Sequence, residues 1–187
     1  YIWEQAAAKL GEWKKVGINM SISVNISPKD FYYIDIFNTF AGLVKKYDIE
    51  PSNLKIEITE TTIMSDVPNL MGELEELRKA GFTIEMDDFG SGYSSLNTLK
   101  DINVDVLKVD MGFIKETKNV KKSRIILASV IKMAKELNLL IITEGVETEE
   151  QVDNLTKLGC DVFQGYYFSK AIDVNEFEKR YLYRKKA

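Results

Sequence analysis

The chain has no histidine and one cysteine, and each shortage removes a class of function. Without histidine there is no imidazole base, no Ser-His or Cys-His nucleophile pair and no His-ligated zinc. With Cys160 alone there is no intrachain disulfide, and a reducing, cytoplasmic setting is expected. No apolar run approaches the roughly 18–20 residues that span a bilayer, and nothing has the build of a signal peptide. This domain is therefore expected to make no membrane contact, any tether being supplied by domains outside this chain. Positive charge is also short, at 25 Lys and Arg against 29 Asp and Glu, a net charge of -4. That balance argues against DNA or RNA held by counterion release, which needs a basic face. A small anionic ligand stays open if a local cation supplies the charge.

What is present is an ordinary globular composition of 187 residues, 45% hydrophobic and 29% charged, read as one domain over 1–187. Short apolar or β-branched runs recur at 20–26, 54–59, 82–87, 105–110, 139–144 and 161–165. Between most of them the pattern is helical. Leu70, Leu74 and Leu77 form a core stripe that stops at Gly81, as at a helix C-cap. Ile126, Val130, Met133, Ala134 and Leu137 predict a second stripe, and Thr148 with Gln151 reads as a capping box. Trp3, Trp13, Phe31 and Phe40 fall on helical stretches as packing residues, and Cys160 reads as a small buried residue. Strand and helix in alternation predict a parallel sheet with right-handed crossovers.

Each run carries a polar residue at or near its C-terminal end: Asn25, Glu57, Asp87 with Asp88, Lys108 with Asp110, Glu144 and Gln164. In a βα barrel those ends converge on one mouth, where sites of this architecture sit. Alternation places Ser21 and Ser23 on the same inner face as Asn25, and Ile22, Val24 and Ile26 toward the helices. Carboxylate and amide oxygens without imidazole or thiolate pairs suit hard cations such as Mg2+ or Mn2+. Adjacent aspartates can flank two such ions, the arrangement used for phosphate-ester cleavage. Lys108 could orient a water or stabilise phosphoryl charge. The "DFG" within "IEMDDFGSGYSSL" does not indicate a protein kinase, because "HRD" and an upstream phosphate-covering loop are missing. "GSGYSS" likewise has too few glycines for a dinucleotide fingerprint.

Six segments in order, "SVNIS", "IEITE", "DDFGSGYSSL", "LKVD", "TEGVET" and "GCDVFQGYYFS", resemble the EAL domain family, the cyclic di-GMP phosphodiesterases, from Tyr1 to Leu182. The resemblance implies an α/β fold, a modified TIM (β/α)8 barrel, that opens cyclic di-GMP to linear pGpG with Mg2+ or Mn2+ at a two-metal site. It implies metal ligands at Asn25, Glu57, Asp87, Asp88 and Glu144, with Asp87 bridging. Lys108 would hold the catalytic water, and Glu144 is either a metal ligand or a general base. Glu147, Gln164 and Asp110 would support the site and bind substrate. Glu60 would brace the loop after "DDFG", which the family uses to connect the metal centre with a dimer interface. The resemblance also implies a homodimer and attached sensor or GGDEF domains outside this chain.

Two departures stand out. No "EAL" occurs, and six strands are expected where the family has eight, so the domain is expected to lack its first two βα units and to be N-terminally incomplete. The second is Glu85, two residues before Asp87 and hence inward-facing, where the family usually has a small or apolar residue. Lys55, two before Glu57, is its expected neighbour, and a Lys55–Glu85 ion pair one layer below the metals is predicted. Two other functions remain open. A non-catalytic cyclic di-GMP receptor or interaction module would bind without turnover. An enolase-like barrel with a lysine base and Mg2+ would bind no nucleotide.

Overall fold

The computed structural model describes residues 1–65, 67–90, 99–110, 120–160 and 162–183. Helix α1 (Ile2–Lys15) leads into β1 (Ile22–Asn25), α2 (Pro28–Tyr33), α3 (Ile36–Tyr47) and β2 (Leu54–Thr59). The one-turn α4 (Glu60–Ile63), α5 (Leu70–Lys79), β3 (Ile84–Phe89) and β4 (Val106–Asp110) follow. Then come α6 (Val120–Glu136), β5 (Leu140–Glu144), α7 (Glu149–Leu158), β6 (Val162–Phe163) and α8 (Val174–Phe177). The six strands make one sheet in chain order, every neighbouring pair parallel. The sheet curls as part of a TIM-like barrel with helices packed on it, the α/β architecture expected from the strand–helix alternation.

Alternation along each strand decides what faces which way. On β2, Leu54, Ile56 and Ile58 are fully buried toward the helices, while Lys55, Glu57 and Thr59 take the inner face. Ile84 and Met86 on β3, and Leu107 and Val109 on β4, complete the outer apolar layer. Full burial of each such side chain contributes about 1.5–3 kcal/mol. Trp3, Trp13, Phe31 and Phe40 are all buried in this core, as expected. The Trp3 ring lies 5.1 Å from that of Phe40, and its indole N–H donates to the Asn25 carbonyl at 3.0 Å, tying α1 to the end of β1.

Local chemistry ends and starts the helices. Leu70, Leu74 and Leu77 are buried as predicted, and α5 stops before Gly81 in the left-handed region at φ 94°. The Thr148–Gln151 capping box opens α7. Ser27 and Asp30 form another at α2, with Pro28 in its first turn. Asp105 joins three elements: its carboxylate accepts from Arg78 Nη2 of α5 at 2.9 Å and from the Ile84 N–H that opens β3 at 2.9 Å.

The structure corrects several expectations. The buried stripe of α6 is Leu127, Ile131 and Ala134, while Ile126 and Leu137 are about half exposed and Val130 and Met133 only partly buried. This helix carries two adjacent apolar stripes, and its neighbours rather than its periodicity choose between them. β1 is shorter than 20–26, β3 runs on past Asp87 to Phe89, and β6 is reduced to two residues. A side chain on Gly165 would overlap the Val146 backbone, where the chain crosses the loop after β5. The loop after "DDFG" from Ser91, its expected role in a dimer, and the tail after Tyr183 lie outside the described residues.

Candidate functional site

The inner ends of β1 to β5 bring the charged residues together. Lys108 projects from the middle of β4 and is buried. Its Nζ lies 2.8 Å from Glu57 Oε1, 3.2 Å from Asp87 Oδ1 and 2.8 Å from Glu144 Oε1. One ammonium on β4 thus meets carboxylates from β2, β3 and β5. On the far side of Glu57, Asn25 Nδ2 donates to Oε2 at 3.0 Å.

Consecutive residues in a regular strand face opposite ways, so Asp87 and Asp88 should not share a mouth. A bulge resolves this. Met86 pairs with Leu107 and Phe89 with Val109, so both aspartates stand opposite Lys108 alone. Asp88 adopts φ 57°, the left-handed region that Asp tolerates better than most residues. As a result Asp87, Asp88 and Glu144 each place a carboxylate oxygen within 4.8 Å of the others.

The electrostatics are those of a site short of positive charge. Burial pushes the Glu57 carboxyl above its ordinary pKa; Lys108 opposes this, and Asp87 and Glu85 add to it. Glu144 is raised in the same way, by burial first, against the pull of Lys108. Asp88 is raised by burial and then by Asp87 and Asp110, which places Asp110 in the same field. Burial works against the charge on Lys108, but its hydrogen bonds to Glu144 and Glu57 more than offset that and lift its pKa above the usual lysine value. Lys108 therefore keeps its proton at neutral pH.

Among the described residues, five carboxylates (Glu57, Asp87, Asp88, Asp110 and Glu144) share this field with the ammonium of Lys108. The donors are carboxylate and amide oxygens, the set preferred by Mg2+, Mn2+ and Ca2+. Ligands on opposite sides of such an ion lie about 4–5 Å apart, and the oxygens of Asp87, Asp88 and Glu144, all within 4.8 Å of one another, are close enough to share one. The residues present fit a hard divalent cation.

Other predicted positions lie around this centre. Glu147 follows β5, its N–H donating to Gln151 Oε1 at 2.7 Å. Gln164 follows β6, and its backbone joins Thr143 and Val146 at 2.8 and 3.1 Å. Both sit on the rim and are exposed. Glu60 is buried at the start of α4. The predicted Lys55–Glu85 pair is present, with Nζ 2.9 Å from Oε1. Its third member, Ser23, donates to Glu85 Oε2 at 2.9 Å; the sequence reading faced it inward without naming it a partner.

The sequence model of the EAL domain matches residues 1–171. The signaling protein YkoW of Bacillus subtilis is 35% identical over 179 residues, covering 96% of this chain and 22% of YkoW. The bifunctional diguanylate cyclase/cyclic di-GMP phosphodiesterase MucR of Pseudomonas aeruginosa is 34% identical over 177 residues, 94% of this chain and 26% of MucR. The chain thus spans about a quarter of these relatives' length. A solved structure of the MucR phosphodiesterase with c-di-GMP superposes with a TM-score of 0.85 at 34% identity, over 94% of this chain and 72% of that one. Klebsiella pneumoniae BlrP1, solved with manganese and cy-diGMP, gives 0.78 at 28% identity over 90% of this chain and 43% of its own.

Proposed function

The chain belongs to the EAL domain family, and we propose that it hydrolyses cyclic di-GMP to linear pGpG with divalent cations, Mg2+ or Mn2+, held at the mouth of its sheet. The observation that carries this reading is the convergence of Glu57, Asp87, Asp88 and Glu144 around Lys108. Asn25, Glu57, Asp87, Asp88 and Glu144 would hold the ions. When bound, these supply positive charge to the phosphoryl oxygens and acidify an attacking water.

The residues themselves divide the remaining work. Lys108, whose ammonium is favoured by Glu144 and Glu57, would serve as a donor rather than a base, orienting the water and stabilising phosphoryl charge. As the alternative to ligating a cation, Glu144, 2.8 Å from Lys108 Nζ, would be the base that takes the proton the water loses. A water oxygen–phosphorus bond would form as one phosphorus–ribose oxygen bond breaks, the leaving oxygen taking its proton from solvent water. Gln164, Glu147 and Asp110 are the residues assigned to nucleotide binding in this proposal, in keeping with the exposure of Gln164 and Glu147. Homodimerisation and control by sensor or GGDEF domains belong to the same proposal; MucR, by name, joins a cyclase to a phosphodiesterase.

The test is chromatographic: the protein is incubated with cyclic di-GMP and Mn2+ or Mg2+, beside Asp87→Ala. Linear dinucleotide that requires both the metal and Asp87 is expected. Tight cyclic di-GMP binding without product would replace the enzyme with a receptor.

A further inference from the structure

Beneath the carboxylates lies a second polar layer. Ser23, Lys55 and Glu85 sit on β1, β2 and β3, each two residues before Asn25, Glu57 and Asp87 respectively. The two-residue step puts each on the same face as its upper neighbour. The Glu85 side chain is only 1% exposed, yet both its oxygens are satisfied, Oε1 by Lys55 Nζ and Oε2 by the Ser23 hydroxyl, each at 2.9 Å. Three adjacent strands are therefore joined side chain to side chain just below the three residues they contribute to the mouth.

An apolar layer would fill this space without fixing direction, because the hydrophobic effect is non-directional. Hydrogen bonds and a short ion pair do fix it: rotation or slippage of any one strand breaks a bond at 2.9 Å. The layer is also charge-neutral, one cation against one anion, so it adds no net charge beneath a mouth already rich in carboxylates. We propose that Ser23, Lys55 and Glu85 are positioning residues that aim Asn25, Glu57 and Asp87 at the divalent cation. This rests on the metal-site reading given under Proposed function.

Mn2+ binding to the protein, measured by calorimetry without nucleotide, reads the effect directly, with melting temperature recorded in parallel. Lys55→Met/Glu85→Leu removes the layer without leaving a lone buried charge, an exchange that need not lower stability. It is expected to weaken Mn2+ binding about fivefold, less than the roughly tenfold cost of losing a partner bonded directly to a metal ligand. Lys55→Arg, which keeps a cation beside Glu85, is expected to retain affinity. Ser23→Ala, at a solvent-open position, leaves folding intact and is expected to weaken binding about threefold, as for one lost hydrogen bond. A folded double variant that binds Mn2+ like the parent overturns the proposal; should that variant not fold, parental affinity in Ser23→Ala does so. Absence of Mn2+ binding by the parent overturns the metal reading itself and this inference with it, so the parent titration tells the two failures apart.

Discussion

Replacing Lys108 by methionine removes the ammonium that touches Glu57, Asp87 and Glu144 at 2.8, 3.2 and 2.8 Å. The lysine side chain is 5% exposed and the three carboxylates 12–16%. Breaking a buried pair costs about 3–5 kcal/mol when the surviving charge has no outlet. Here the carboxyls of Glu57 and Glu144 lie above the ordinary carboxylate pKa, which eases proton uptake once the ammonium is gone, so the metal-free loss at pH 7 is about 2–3 kcal/mol. For a chain of this size that lowers the melting temperature by about 4–12 °C. Mn2+ reverses the loss, because a divalent ion replaces the missing positive charge, and the variant binds Mn2+ at least as tightly as the parent. The proposed hydrolysis of cyclic di-GMP is expected to fall by about 100-fold or more, the usual cost of removing a donor to developing charge. Scanning calorimetry with chelator and with Mn2+, beside calorimetric titration, measures both halves. A metal-free variant as stable as the parent, or one that has lost Mn2+ affinity, refutes the view of Lys108 as counter-ion to the three carboxylates.

Two further outcomes follow from the same geometry. The left-handed Asp88 at φ 57° accepts Asn but not a β-branched residue, so Asp88→Val is expected to cost about 1–2 kcal/mol more stability than Asp88→Asn; equal melting temperatures in chelator would contradict the bulge. Glu57, Asp88 and Glu144 all have raised folded pKa values, so their stabilising contribution is full at low pH and is lost as pH rises through those values. Cation binding requires the same carboxylates deprotonated, and the Mn2+-induced rise in melting temperature is therefore larger at pH 7.5 than at pH 5; a pH-independent rise would count against these residues as ligands.

Much of this arrangement was legible because strand alternation is a rigid rule. Counting back two from Glu57 and Asp87 predicted the Lys55–Glu85 pair without any structure, since period two leaves no freedom once one residue is placed inward. Asp88 was placed at the mouth by its position at the strand end and by resemblance; alternation alone would turn it outward, and the bulge that brings it in is announced by no local pattern. On α6 the periodicity was real but ambiguous, two apolar stripes lying side by side. Asp105 could not be recognised as a staple, because its partners Arg78 and Ile84 lie 27 and 21 residues away. Ser23 was placed on the inner face, yet that Glu85 has two oxygens and needs two partners is plain only once its burial is known.

The order of strands in the sheet repeats their order along the chain, which has a consequence for how the molecule is built. If the sheet grows from its N-terminal side, Glu57, Asp87 and Asp88 are gathered on β2 and β3 before β4 delivers Lys108, so the mouth passes through a stage of uncompensated repulsion. Growth from β4 outward meets the opposite situation, with a cation waiting for its anions. Charge placement thus favours nucleation around β4 and its neighbours, and a divalent cation in the refolding medium would help most where the lysine has yet to arrive.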